Sequence, residues 1–139
     1  MNQSLTKIKE TKVDLLKRFL AAIEDGSIAD KIDQFYAPEV LRTENPDLIT
    51  PVVVTRKLQP LKKAASKNKK VISKQKYQVI RIHDAGEALI LEAVWTGELA
   101  ISFGKLCAGD IMRAWFAQFY QFRNGRIIRQ GNYDCFKPF

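Results

Sequence analysis

The chain lacks several features that would settle its class early. Its longest unbroken apolar run, residues 19–23, is five residues long, whereas a helix spanning a bilayer needs roughly 18 or more. No charged-then-apolar leader opens it. A cytoplasmic protein that does not enter a membrane is expected. Cys107 and Cys135 are the only cysteines; two in a chain of this size make no disulfide framework, and neither has metal-ligand spacing, so both are read as reduced thiols. Histidine occurs once, as His83 beside an Asp-Ala-Gly turn, where a surface position is expected. Nothing resembles a phosphate-binding loop, a dinucleotide fingerprint, a zinc cluster or a Ser–His–Asp order, so no cofactor and no metal are expected.

Acidic residues are missing from one stretch altogether. Between Leu48 and His83 there is no Asp or Glu, while ten of the 23 basic residues lie there, leaving thirteen against 15 acidic ones elsewhere. The net charge of +8 is therefore one basic segment on an otherwise slightly acidic chain. No aromatic residue or glycine interleaves its lysines before Tyr77, which favours a solvated helix face over nucleic-acid binding.

What is present is one domain's worth of pattern: 139 residues at 46% hydrophobic, enough for a single core over residues 1–139. Leu5, Ile8, Leu15, Leu16, Phe19, Ala22 and Ile23 are spaced by threes and fours, which predicts an amphipathic helix ended at Asp25-Gly26. Ser27 with Asp30 predicts a capping box for a second helix, stopped by Ala37-Pro38. An extended stretch over 39–43 precedes the Asn45-Pro46-Asp47 turn, and a third, basic helix is predicted over 55–68, with Pro60 either its first residue or a kink. From Val71 the period falls to two, predicting a hairpin about Asp84-Ala85-Gly86, a connection or frayed strand over 99–108 and a second hairpin, 111–123 with 126–136, about Asn124-Gly125. Helices followed by antiparallel strands predict an α+β fold, with helices on one face of a curved sheet.

A two-residue turn at Asn124-Gly125 sets Phe116 opposite Tyr133 and Trp115 opposite Asp134. Met112, Ala114, Phe116, Tyr120, Phe122, Ile127, Tyr133 and Cys135 then share a core face. Arg113, Trp115, Ala117, Phe119, Gln121, Ile128, Gln130, Asn132, Asp134 and Phe136 share the other, which lines a wet pocket or meets a partner. A single β-bulge would exchange these faces for every residue beyond it.

The element order and several phrases resemble the nuclear transport factor 2-like superfamily, in particular its SnoaL-like members. The phrases are Phe35-Tyr36-Ala37-Pro38-Glu39-Val40, Thr43-Glu44-Asn45-Pro46, Trp95-Thr96-Gly97, Phe122-Arg123-Asn124-Gly125-Arg126-Ile127 and Asn132-Tyr133-Asp134-Cys135-Phe136. The resemblance implies a cone: three helices packed on a strongly curved, mixed but mostly antiparallel sheet, with a pocket at the wide end and a homodimer through the sheet's outer face. The superfamily includes polyketide cyclases, steroid isomerases, dehydratases and hydrolases beside non-catalytic association domains, so fold alone selects no activity. Its enzymes place an Asp or a His–Asp pair in the pocket; Asp134 matches that Asp, and no His does.

The candidate catalytic carboxylates are Asp134 and Glu44, with Tyr36, Trp95, Arg113, Trp115, Asn132 and Tyr133 around them. A carboxylate in an apolar cavity has its pKa raised and becomes a base near neutral pH for a proton α to a carbonyl, with Tyr36 or Tyr133 holding the enolate. Three structural alternatives stand beside this: Asp134 pairs with Arg113, Glu44 caps or salt-bridges near the Asn-Pro turn, or the aromatics are plain core. The readings carried forward are a cofactor-free proton-transfer enzyme acting on a small apolar or carbonyl-containing ligand, and a non-catalytic ligand-binding or dimerising domain.

Overall fold

The computed structural model describes residues 10–139; Leu5 and Ile8, assigned above to the first helix, lie outside them. Helix α1, Lys12–Glu24, begins where the Thr11 side chain accepts the Asp14 N–H at 3.0 Å, satisfying one of the helix's unpaired first-turn donors. It ends at Asp25, followed by Gly26 at a φ of 81°. Helix α2, Ile28–Phe35, has no side-chain cap: Ser27 is itself helical in φ and ψ and its hydroxyl is buried without a partner, so the predicted capping box does not form.

Strand β1 is Tyr36–Glu44, taking up Tyr36, which the sequence reading gave to the helix, and Ala37-Pro38, which it read as the helix stop. Pro38 has no N–H to donate, and it falls between Tyr36 and Leu41, where the pairing of β1 with its neighbour is interrupted. Strand β2, Val54–Arg56, was not foreseen; three residues are too few to show a period. Helix α3 is Leu58–Val71, with Lys57 as N-cap. Pro60 thus sits in the first turn, where its missing donor costs no helical hydrogen bond and the helix needs no kink.

Strands β3, Ile72–Asp84, and β4, Ala88–Leu99, form the first hairpin, and β5, Ile111–Arg123, and β6, Arg126–Phe136, the second. Asn124 and Gly125 both take positive φ, 51° and 74°, as the Asn-Gly turn requires. The six strands form one sheet in the order β2-β1-β6-β5-β4-β3, antiparallel except for the parallel pair β1–β6. The fold is α+β, with three helices on a mixed, mostly antiparallel sheet.

The face assignment of the second hairpin is corrected beyond one point. Phe122 pairs with Ile127, but Gln121 pairs with Arg129, so Ile128 is an extra residue in β6. From there every partner shifts by one: Phe116 pairs with Asp134 and Trp115 with Cys135. Gln130, Asn132, Asp134 and Phe136 therefore join Met112, Ala114 and Phe116 on the helix-covered face, while Tyr133 and Cys135 turn outward with Arg113 and Trp115. The proposed Arg113–Asp134 pair is excluded, because the two side chains lie on opposite faces.

The core lies between α1, α2 and this inner face. Leu16, Phe19, Phe35, Tyr36, Leu89, Leu91, Tyr120 and Ile127 are its most enclosed large side chains, with Phe19 edge-on to Phe35, Tyr36 and Tyr120 at ring separations of 5.4 to 6.1 Å. Leu16→Ala removes a fully enclosed side chain at the centre of α1 and is expected to lower stability by about 2–5 kcal/mol, read as an earlier midpoint in urea unfolding with little change in slope.

Candidate functional site

A cavity of about 680 Å³ opens between the helices and the inner face of the sheet. Phe19, Ile32 and Leu61 close its base, Tyr77, Trp95 and Phe116 form an aromatic wall, and Arg42, Glu44, Gln118 and Asp134 supply its polar side. Of the sequence-derived residues, Asp134, Glu44, Tyr36 and Trp95 line this space. Arg113, Trp115 and Tyr133 do not: they are on the outer face, with Trp115 48% and Tyr133 52% exposed. Asn132 is buried behind the polar side, where it supports Arg42 rather than meeting the cavity.

The aromatic wall depends on a glycine. The Trp95 indole stacks on Phe116 at 5.7 Å and donates from Nε1 to Gln75 Oε1 at 3.0 Å. It lies so close over Gly97 that a Cβ there would stand 2.5 Å from the ring, so only glycine leaves room for this orientation.

The polar side is an ordered chain of tyrosines and amides. Tyr36 Oη donates to Gln130 Oε1 at 2.5 Å, Gln130 Nε2 reaches the Tyr120 oxygen at 3.4 Å, and Tyr120 Oη donates to Gln118 Oε1 at 2.6 Å. With its oxygen engaged by Tyr120, Gln118 presents Nε2 to Asp134 Oδ1 at 3.4 Å. Because Tyr36 Oη is committed to Gln130 and Tyr133 lies on the other face, neither of the expected enolate donors is free in the cavity.

The two carboxylates have opposite surroundings. Glu44 meets Arg42 Nη2 at 2.8 Å and Arg56 Nη1 at 3.7 Å. Arg42 is held from behind by Asn132, whose amide oxygen, turned toward the guanidinium, accepts from its Nε and Nη2 at 3.2 Å each. Asp134 has no ion pair among the described residues. Burial pushes its pKa up to about 7; the Gln118 hydrogen bond and the more distant Arg42 oppose this, and Glu44 and Asp47 add to it. Burial likewise holds the Tyr77 hydroxyl above its ordinary pKa, so it keeps its proton, and that hydroxyl donates to no described residue.

Arg42, Gln118 and Tyr77 were missed by the sequence reading. Gln118 was the findable one: it stands between Phe116 and Tyr120 at period two, and an amide on an otherwise apolar face must be hydrogen-bonded there. His83 lies at the surface against Glu92 at 2.8 Å, away from the cavity. Among the described residues no group of three or more His, Cys, Asp or Glu side chains is placed to hold a metal ion, and no helix is long and apolar enough to cross a membrane.

No protein-family model and no curated protein matches the sequence, whereas solved structures do match the fold. IdmH of Streptomyces antibioticus, described as a candidate polyketide cyclase, superposes with a TM-score of 0.72 at 17% identity, over 88% of this chain and 90% of that one. A SnoaL-like polyketide cyclase of Agrobacterium tumefaciens gives 0.67 at 15%, over 91% and 92%. A protein of ketosteroid isomerase-like fold from Catenulispora acidiphila, solved with trimethylamine, gives 0.70 at 14%, over 88% and 86%. The chain therefore has the fold of these SnoaL-like and ketosteroid isomerase-like proteins.

The raised Asp134 carboxyl has a consequence for stability. A carboxyl whose folded-state pKa of about 7 lies above its unfolded value binds more protons when folded. The stability it contributes is therefore complete below about pH 4 and is lost as pH rises through about 7. Asp134→Asn removes the buried charge, so thermal melts are expected to show the variant more stable than wild type at pH 8, by about 1–3 kcal/mol, with the gap closing at pH 4. A variant less stable at pH 8 would mean that Asp134 has a cationic partner after all.

Proposed function

We propose that the cavity binds a small, largely apolar carbonyl compound and that Asp134 moves a proton α to its carbonyl. The observation that carries this reading is a carboxylate without an ion pair, held near neutral pKa by burial, facing an aromatic-walled cavity of about 680 Å³. At pH 7 such a group is divided between its two forms, so it takes a proton in one step and returns it in the next. Gln118 holds the carboxylate in place. The Tyr77 O–H, kept protonated by burial, and the Arg42 guanidinium supply donors for the oxygen on which enolate charge develops. Glu44, tied to Arg42 and Arg56, anchors that guanidinium; the role of base falls to Asp134 alone. The folds of a polyketide cyclase and of a ketosteroid isomerase-like protein support the reading as analogy.

The test is exchange of α-hydrogen for deuterium in a panel of cyclic and acyclic ketones in heavy water, followed by proton NMR. The exchange rate is expected to rise with pH through about 7 as Asp134 ionises, to vanish in Asp134→Asn, and to fall by about ten- to a hundredfold in Tyr77→Phe with the compound still bound. Failure of every compound to exchange, or exchange untouched in Asp134→Asn, sinks the proposal.

The outer face favours a second, compatible reading, a homodimer. Trp115, Phe119, Tyr133 and Ile111 are all exposed there, with Phe119 edge-on to Tyr133 at 5.8 Å. Phe136, first counted with this patch, instead faces the cavity against Trp95 and Phe116. Light scattering is expected to give twice the chain mass, and Trp115→Arg the chain mass; a wild-type monomer at every concentration refutes it. Both thiols, Cys107 and Cys135, are exposed and unpaired, which supports a reducing, cytoplasmic setting.

A further inference from the structure

Lys67 and Lys69, near the end of α3, and Lys74, near the start of β3, border the mouth of the cavity. All three are exposed, and among the described residues none is within ion-pair distance of a carboxylate. No acid lies near them in sequence, between Leu48 and His83, and unlike Arg56, Lys62 and Arg81 of the same segment they meet none among the described residues.

The acids that share the mouth are already engaged. Glu24 accepts the Tyr77 N–H at 2.7 Å, Asp25 the Ser27 N–H at 2.8 Å, and Asp47 the Ile49 and Thr50 N–H groups at 2.8 and 2.6 Å. They lie at the end of α1, on the α1–α2 turn and on the loop before β2, and none is within ion-pair distance of the three lysines. Deeper in, Arg42 and Arg56 share the single carboxylate of Glu44. Lys67, Lys69 and Lys74 thus stand at the edge of the cavity with no carboxylate among the described residues paired to them. An isolated exposed lysine contributes little to binding because water and salt screen it. Several on one low-dielectric rim hold an anion better than any of them alone.

We propose that the ligand is an anionic amphiphile, its apolar body against Tyr77, Trp95 and Phe116 and a carboxylate or phosphate at the mouth on Lys67, Lys69 and Lys74. This rests on the reading of the cavity as a small-molecule site. It narrows the substrate class to carbonyl compounds that carry an acid or phosphate arm, so the reaction supplying the substrate must leave that acid free or install that phosphate.

The experiment is calorimetric titration with naphthyl alkanoic acids of increasing chain length, the methyl esters of the same acids and the matching naphthyl alkyl phosphates. Wild-type protein is compared with the variant combining Lys67→Gln, Lys69→Gln and Lys74→Gln, at low and high salt. The acid or the phosphate is expected to bind about tenfold tighter than the ester at low salt. That preference should disappear in the triple variant and shrink in high salt, with ester affinity unchanged. Whichever of acid and phosphate gains more identifies the anionic group. Equal binding of acid, phosphate and ester, or a preference that survives the triple substitution, overturns the inference while leaving the cavity a small-molecule site. Binding of none of the three overturns both.

Discussion

One extra residue in β6 decides which side chains of the second hairpin meet the cavity. With Ile128 bulged out of register, Ile127 and Gln130 both point inward though they are three residues apart, and Asn132, Asp134 and Phe136 follow at period two. Without the bulge, Tyr133 and Cys135 would face the helices and Asp134 would face solvent beside Arg113. On its other side β6 runs beside β1, whose own irregularity between Tyr36 and Leu41 sets Glu44 opposite Asn132, and the Asn45 amide reaches the Asn132 carbonyl at 3.1 Å. The carboxylate of β6 and the Arg42–Glu44 pair of β1 thereby reach the same space.

Turning polar residues toward a core is tolerated only if they are satisfied there. Tyr36, Gln130, Tyr120 and Gln118 meet that condition for one another, and Asn132 meets it for Arg42. The exception is the end of the chain, Asp134, which receives one long amide contact and no cation. Two carboxylates in one cavity are thus set apart by environment: Glu44 is paired with two guanidiniums, whereas Asp134 has no cationic partner among the described residues and burial raises its pKa to about 7.

The basic segment occupies α3 and the edge strand β3. On β3, Lys74, Lys76 and Arg81 give an open strand edge the charge that discourages pairing with another chain. On α3, Leu61 faces the core while the lysines stay in water, so one helix both closes the base of the cavity and charges its rim.

Local signals determined much of this by themselves. The Asn124-Gly125 turn, the 3.6-residue period of α1, the return strand after Gly86 and, β2 apart, the order of elements were legible because each depends on residues close in sequence. Asp134 was legible as a candidate through the resemblance of the phrase that carries it, with Glu44, Tyr36 and Trp95 as candidates beside it. The tertiary structure alone decided the rest. A bulge leaves no mark in composition, so the faces of Arg113, Trp115 and Tyr133 could not be read past Ile128; three-residue β2 forms only because β1 is there to pair with it. Arg42, Gln118 and Tyr77 became visible as a site only once β1, β5 and β3, distant in the chain, were curved around the same cavity, because burial and hydrogen-bond partnership are properties of the packed sheet and not of any one strand.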